Sequence, residues 1–270
     1  MPDLDLNAAL LYLLTGCFAG FSAGLLGIGG GLIIVPVLYF VFSSQNIDSA
    51  NLMHMALATS LATIITTSIS STLAHHKKKS VLWPVVFSLA PALCIGAWLG
   101  ALLASKMDTA ILKPVFGVFE LFVAGLMLSQ YQSRRHQLTI RPANAIIGGG
   151  IIGSLSAIIG IGGGTLTVPF LHWHNIDIKN AVATSAACGL PIAIFATASY
   201  VVSGWPLPAE LPGTANSLGY VQLDAFFFIA VSSFIFAPLG ARTAHRLSGK
   251  NLKRAFALLL LVLGMKMLLS

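Results

Sequence analysis

Two stretches of this 270-residue chain carry glycines in a pattern that could hold an anion. GLLGIGGGLIIVP begins at Gly24 and contains Gly27, Gly29, Gly30 and Gly31; AIIGIGGGTLTVP begins at Ala157 and contains Gly160, Gly162, Gly163 and Gly164. An apolar run resumes after each last glycine, which predicts a helix start just after Gly31 and again just after Gly164. The first N–H groups of a helix have no carbonyl to bond, and with the positive end of the helix dipole they attract negative charge. Glycine leaves that approach open and permits the backbone angles of a tight turn. Three consecutive glycines also weaken a continuous helix, each by about 1 kcal/mol relative to alanine, so both runs read as breaks. Gly16, Gly20 and Gly24, at four-residue spacing, read instead as a face for close helix packing, as do Gly96 and Gly100. A dinucleotide fingerprint is rejected because Leu32 stands where its last glycine would be.

Other residues could add to such a site. "ALATS" ends in Thr59 and Ser60, and "AVATS" in Thr184 and Ser185; their hydroxyls could donate to an oxyanion, or bond back to their own helix. Thr165, Asn51 and His54 are lesser candidates. Glu120 lies in the middle of an apolar segment, where an ionisable group suggests proton transfer or, alternatively, a buried pairing. His75, His76, His172 and His174 sit at segment edges with few carboxylates near, which argues against a metal site. Cys17, Cys94 and Cys188 read as packed thiols within apolar segments.

The elements that must position these residues are membrane spans. Apolar residues make up 56% of the chain and charged residues 9%, against roughly 25% charged in an average soluble domain. Apolar segments long enough to cross a bilayer recur at about 6–42 and 143–173 (both interrupted by the glycines), 50–73, 81–104, 110–130, 179–203, 220–242 and 252–269. This describes an all-α polytopic membrane protein in a lipid bilayer. Asp3 and Asp5 stand where a secretory signal would be positive, so no cleaved signal is expected. The net charge of +7 is divided among short loops, a pattern of membrane orientation rather than nucleic-acid binding.

The chain is internally duplicated, with a first membrane repeat at 1–135 and a second at 136–270. Between Gly20–Leu38 and Gly153–Leu171, nine of nineteen positions are identical at an offset of 133. The two ATS motifs follow, then Leu99-Gly100-Ala101 against Leu239-Gly240-Ala241 and Leu112-Lys113 against Leu252-Lys253. If each broken element is a hairpin returning to its own side, each repeat is a glycine-broken helical hairpin plus three transmembrane helices, and the second repeat is inverted. Lys77, Lys78, Lys79, Arg134, Arg135, Arg141, Lys179, Arg242, Arg246, Lys250, Lys253 and Arg254 then lie inside, and Lys106, Lys113 and Lys266 outside. That twelve-to-three bias fits positive-inside orientation with both termini outside. Full crossings would leave seven inside and eight outside. Leu32 to Phe42, eleven residues, would reach about half of a ~30 Å core, placing both turns near mid-membrane, facing one another.

The paired glycine motifs with their Val-Pro tails, each followed by ATS, closely resemble the TauE/SafE family of membrane transporters, also called sulfite exporters, over essentially the whole chain. On that resemblance the motif falls on Gly27 to Gly31 with Pro36 and on Gly160 to Gly164 with Pro169. It implies an inner-membrane permease for sulfite, sulfonates or related anions.

The resulting expectation is a secondary transporter of a small sulfur-containing anion, working by alternating access, with no cofactor. The substrate site would comprise the eight turn glycines with Thr59, Ser60, Thr165, Thr184 and Ser185. A passive anion channel and a metal-ion carrier are the rivals. No HExxH, GxSxG or paired-acid motif supports an enzyme. The small-residue faces also permit a homodimer.

Overall fold

The computed structural model describes residues 6–27, 29–45, 47, 49–128, 142–205, 216–244 and 250–269. Asp3, Asp5, Arg134, Arg135, Arg141, Arg246 and the expected repeat boundary at 135/136 lie outside the described residues, as do the side chains of Lys250 and Lys253. The first half forms α1 (Leu6–Leu26), α2 (Gly31–Ser44), α3 (Leu52–Lys77), α4 (Trp83–Ala104) and α5 (Thr109–Leu128). The second forms α6 (Pro142–Ile159), α7 (Gly164–Trp173), α8 (Ile178–Ser203), α9 (Leu223–Ala244) and α10 (Lys250–Leu269). Seven of these, α1, α3, α4, α5, α6, α8 and α9, are long and apolar enough to cross a membrane.

One element departs from the all-α expectation. β1 (Ser217–Leu218) and β2 (Val221–Gln222) pair antiparallel ahead of α9. Gly219 makes their two-residue turn possible at φ 55°, a value side-chain-bearing residues avoid.

The helices that follow the two breaks are unequal. α2 has 14 residues, about 21 Å, while α7 has 10, about 15 Å. The first exceeds the half-core expected because it continues through Ser44, where the Gln45 amide still bonds the Val41 carbonyl.

Small residues set the packing. Gly16, Gly20 and Gly24 of α1 press against Ile229, Ser233 and Ala237 of α9. Gly96 and Gly100 of α4 meet Gly150 and Ser154 of α6, and the Ser154 hydroxyl donates to the Gly96 carbonyl (3.0 Å). In both pairs residue numbers rise together, so the partners run parallel. α3 pairs with α8, and α5 with α10. Exchanging the two halves maps the α1–α9 pairing onto α6–α4 and returns the other two to themselves.

α3 and α8 run antiparallel. The Gln222 amide, beside the end of α8 where Gly204 packs on Tyr220, donates to Thr59 early in α3 (2.9 Å). At the other end the Leu82 amide, just after α3, donates to Thr184 early in α8 (3.1 Å). Residues 52–64 of α3 are all buried, making it the central element. The outer surface exposes Phe18, Phe87, Ile95, Phe122, Ile146 and Phe227, as expected where lipid tails are as apolar as the core.

Candidate functional site

The two glycine breaks share left-handed glycines at their first and cap positions, Gly27 with Gly160 and Gly30 with Gly163, and differ between them, where Gly29 is left-handed at φ 85° and Gly162 is not. Gly30 and Gly163 cap α2 and α7 in the left-handed region, at φ 77° and 74°. Both helices start where the motif predicts, at Gly31 and Gly164. In α2 the amides of Ile33 and Ile34 turn back to the Gly30 carbonyl (3.0 and 3.2 Å). In α7 those of Leu166 and Thr167 turn back to Gly163 (3.1 and 2.7 Å). This leaves the Gly31, Leu32, Gly164 and Thr165 amides as donors at the helix starts.

The breaks also touch each other. A Cβ placed on Gly29 would lie 2.9 Å from the Gly162 Cα, and one on Gly31 would meet the Gly160 carbonyl and Ile161. The strands of backbone cross in opposite directions with no side chain between them. Only glycine permits this approach.

The ATS hydroxyls brace the crossing reciprocally. Ser60 of the first half donates to the Gly160 carbonyl (2.9 Å), and Ser185 of the second half lies 3.3 Å from that of Gly27 while also donating to Val182 (2.8 Å). Thr59 and Thr184 accept from the amides ahead of α9 and α4, again across the halves. All four are fully buried. A second matched pair holds the helix ends before the turns. His75 Nε2 donates to the Gly24 carbonyl (3.1 Å), and Tyr200, its repeat counterpart, donates to that of Ala157 (3.2 Å).

A small cavity of about 10 Å³ lies against the crossing, where Gly27, Gly29 and Gly162 meet the hydroxyl-bearing Thr67, Ser68 and Ser71 and the methyls of Ala23 and Ala186. It has room for about one water. A second hydroxyl group surrounds the start of α7. Ser156 and Thr167 are fully buried beside Gly163, and their hydroxyls, like that of Thr165, meet no partner among the described residues. Their first-half counterparts are Ala23, Ile34 and Leu32, so this polarity belongs to one half only. The motif reading missed Thr67, Ser68, Ser71, Ser156 and Thr167. The run "TIITTSISST" was the available signal, since so many hydroxyls are unusual in one membrane helix.

Of the lesser candidates, Thr165 joins the α7 start, while His54, Asn51 and Glu120 lie apart from the crossing. His54 is buried and stacks on Tyr220 at 5.1 Å between ring centroids. Tyr220 sits in the β1–β2 turn outside the spans, where burial pushes its phenol above the ordinary value. Asn51 occupies the cap position of α3. Glu120 is on α5, away from both turns in the pairing of helices, and is fully buried.

Residues 12–267 match the family described as Sulfite exporter TauE/SafE. The chain belongs to the TauE/SafE family. Within it, a probable membrane transporter protein of Haemophilus influenzae is 40% identical over 97% of this chain and 98% of its own. A probable membrane transporter protein of Methanocaldococcus jannaschii is 30% identical over 96% and 95%. No solved structure matches. The family and the seven apolar helices make this a multi-pass membrane transporter of the TauE/SafE type.

The reciprocal bonds predict a graded stability loss in this transporter. Ser60→Ala and Ser185→Ala each remove a buried bond to a turn carbonyl and are expected to cost about 1 kcal/mol. Thermal unfolding of the purified protein should show a lower melting temperature for each and the largest drop for the double variant. Unchanged melting in all three would show that these bonds do not hold the turns.

Proposed function

We propose that this transporter is a secondary carrier of a small sulfur oxyanion, sulfite or an organosulfonate, across the inner membrane by alternating access. The observation that carries the reading is the crossing of the two glycine turns, where two helix N-termini with open amides meet backbone to backbone. Amide donors and helix dipoles at depth favour an oxyanion over a cation. The hydroxyls of Thr165, Thr167 and Ser156 extend the donor set on one side. Thr59 and Thr184 accept hydrogen bonds and so keep their own protons to donate, while Ser60 and Ser185 release the turn carbonyls only when the halves part.

The two repeats are inverted relative to one another, with both termini outside. Support comes from the antiparallel course of α3 and α8, which occupy equivalent places in the duplication, and from the twelve-to-three distribution of Lys and Arg. Inversion is what lets a relative tilt of the halves expose one central site to either side. A cavity with room for about one water favours a carrier over an open channel, because a polyatomic anion must separate the turns to enter.

Ligand-induced thermal stabilisation tests the substrate class. A ligand that binds only the folded state stabilises it by RT ln(1 + L/Kd) at free concentration L, and so raises the melting temperature. The purified protein, screened against sulfite, sulfate, thiosulfate, taurine, sulfoacetate, chloride and divalent metals, is expected to respond selectively to a sulfur oxyanion. Thr167→Val should weaken that response about tenfold in apparent affinity, the loss of roughly one buried hydrogen bond. Stabilisation by a metal alone, or by no anion, overturns the anion reading.

A further inference from the structure

Glu120 is the one acid within a described membrane-spanning helix interior that has no role in the site above. Its side chain is fully buried, and neither carboxyl oxygen meets a hydrogen-bond donor or cation among the described residues. It lies in the turn of α5 between Gly117 and Leu121, the two residues that meet Gly264 of α10.

The charged and titratable groups on the surrounding elements are few. On α5 itself Lys113 places its Nζ over the Tyr39 ring, 5.3 Å from the centroid. On α10, Lys266 rests over the Phe40 ring at 4.1 Å, and Arg254 is exposed at the helix start. α3 contributes His54, stacked on Tyr220, His75, bonded to Gly24, and His76 and Lys77 at its far end. α6 carries no charged side chain.

Packing does not require an acid here. The repeat counterpart, Leu260 of α10, is also fully buried, so the fold accepts an apolar residue of similar size at the equivalent place. An ionised carboxylate without a partner is costly in such surroundings, and binding a proton removes that cost. Acids retained inside a membrane at that cost are typical of proton relays.

We propose that Glu120 is a proton-binding site that couples anion movement to the proton gradient. An O–H bond forms at one carboxyl oxygen when the α5–α10 seam opens to water on one side. It breaks, releasing the proton, when the seam opens to the other. This rests on the carrier reading above.

The test uses the full-length protein in proteoliposomes, with sulfite in one set and methanesulfonate in another; the latter stays ionised, so pH acts on the protein alone. In the wild type, exchange of labelled for unlabelled anion without any gradient reports the carrier, and a pH gradient should drive net accumulation of anion. The side on which it collects separates travel with the proton from travel against it, and either supports coupling. In Glu120→Gln, and in Glu120→Leu which copies the second half, exchange should persist while pH-driven accumulation falls to that of protein-free vesicles. Infrared difference spectra, wild type minus Glu120→Gln, should contain the C=O stretch of a protonated carboxylic acid. Accumulation by the variants equal to wild type, wild-type exchange without any response to pH, or absence of that carboxylic band overturns the proposal. Absence of exchange in the wild type overturns the carrier reading and the coupling with it.

Discussion

On the proposed carrier reading, Gly29→Leu is expected to lower anion transport in proteoliposomes by about a hundredfold, the scale on which ångström-sized misplacement of binding groups acts. Two penalties coincide at this position. Gly29 has φ 85°, where an L side chain costs about 1–2 kcal/mol. Its Cβ would also lie 2.9 Å from the Gly162 Cα and 3.0 Å from the Gly162 nitrogen. Backbone cannot step aside as a flexible side chain can, so the turns must separate and the helix starts no longer face a common site. Gly162→Leu should act alike from the other half, although φ at Gly162 is ordinary. Gly125→Leu is the control, because a Cβ at Gly125 meets nothing within 4 Å. Anion uptake by Gly29→Leu at the Gly125→Leu rate would remove the crossing from the transport mechanism.

Gly20→Leu is expected to abolish the folded protein rather than its transport alone. Gly20 lies in the seam of α1 and α9, where a Cβ would overlap the Ser233 carbonyl oxygen and lie 2.6 Å from the Ser233 Cα. Over-packing a close seam typically costs about 1–3 kcal/mol. With backbone on the receiving side and Gly16 and Gly24 holding the same seam at the same closeness, the cost should exceed about 3 kcal/mol. In a membrane this seam has no hydrophobic drive to fall back on, since the alternative partner is lipid. Size-exclusion of detergent-solubilised Gly20→Leu should show no monodisperse peak, while Gly125→Leu elutes as wild type. A stable, monodisperse Gly20→Leu would mean that α1 and α9 can shift apart without loss of the fold.

These two expectations mark how differently glycines served as signals. Spacing along one helix identified Gly16, Gly20 and Gly24 as a packing face, because i, i+4 residues line one side of a helix whatever its partner. The partner, α9, is set more than two hundred residues away and could not be read from the same pattern. The glycine breaks were legible as helix starts because their chemistry is local. Their meeting was not, because it depends on how two hairpins from different halves cross.

The hydroxyls show the same limit. The ATS motifs stand out as a repeat, yet Ser60 bonds across the halves to Gly160, and Ser185, which donates to Val182 of its own helix, also reaches the Gly27 carbonyl at 3.3 Å. Nothing local assigns the two glycine acceptors. Ser156 and Thr167 fall within the aligned repeats at positions where the halves differ, their counterparts being Ala23 and Ile34, so similarity between halves does not mark them. The small β1–β2 ladder was hidden for another reason: two-residue strands are shorter than any alternation pattern can register.

The contiguous residues alone mark this chain as a helical membrane protein with a similar glycine break in each half, because apolar length, charge depletion and helix termination are local properties. Only the three-dimensional packing shows that the two breaks touch, that Ser60 bonds the opposite turn, and that Glu120 is fully buried with no hydrogen-bond partner among the described residues. Each of these depends on distances between elements far apart in the chain, set by close packing of small residues that a one-dimensional pattern does not contain.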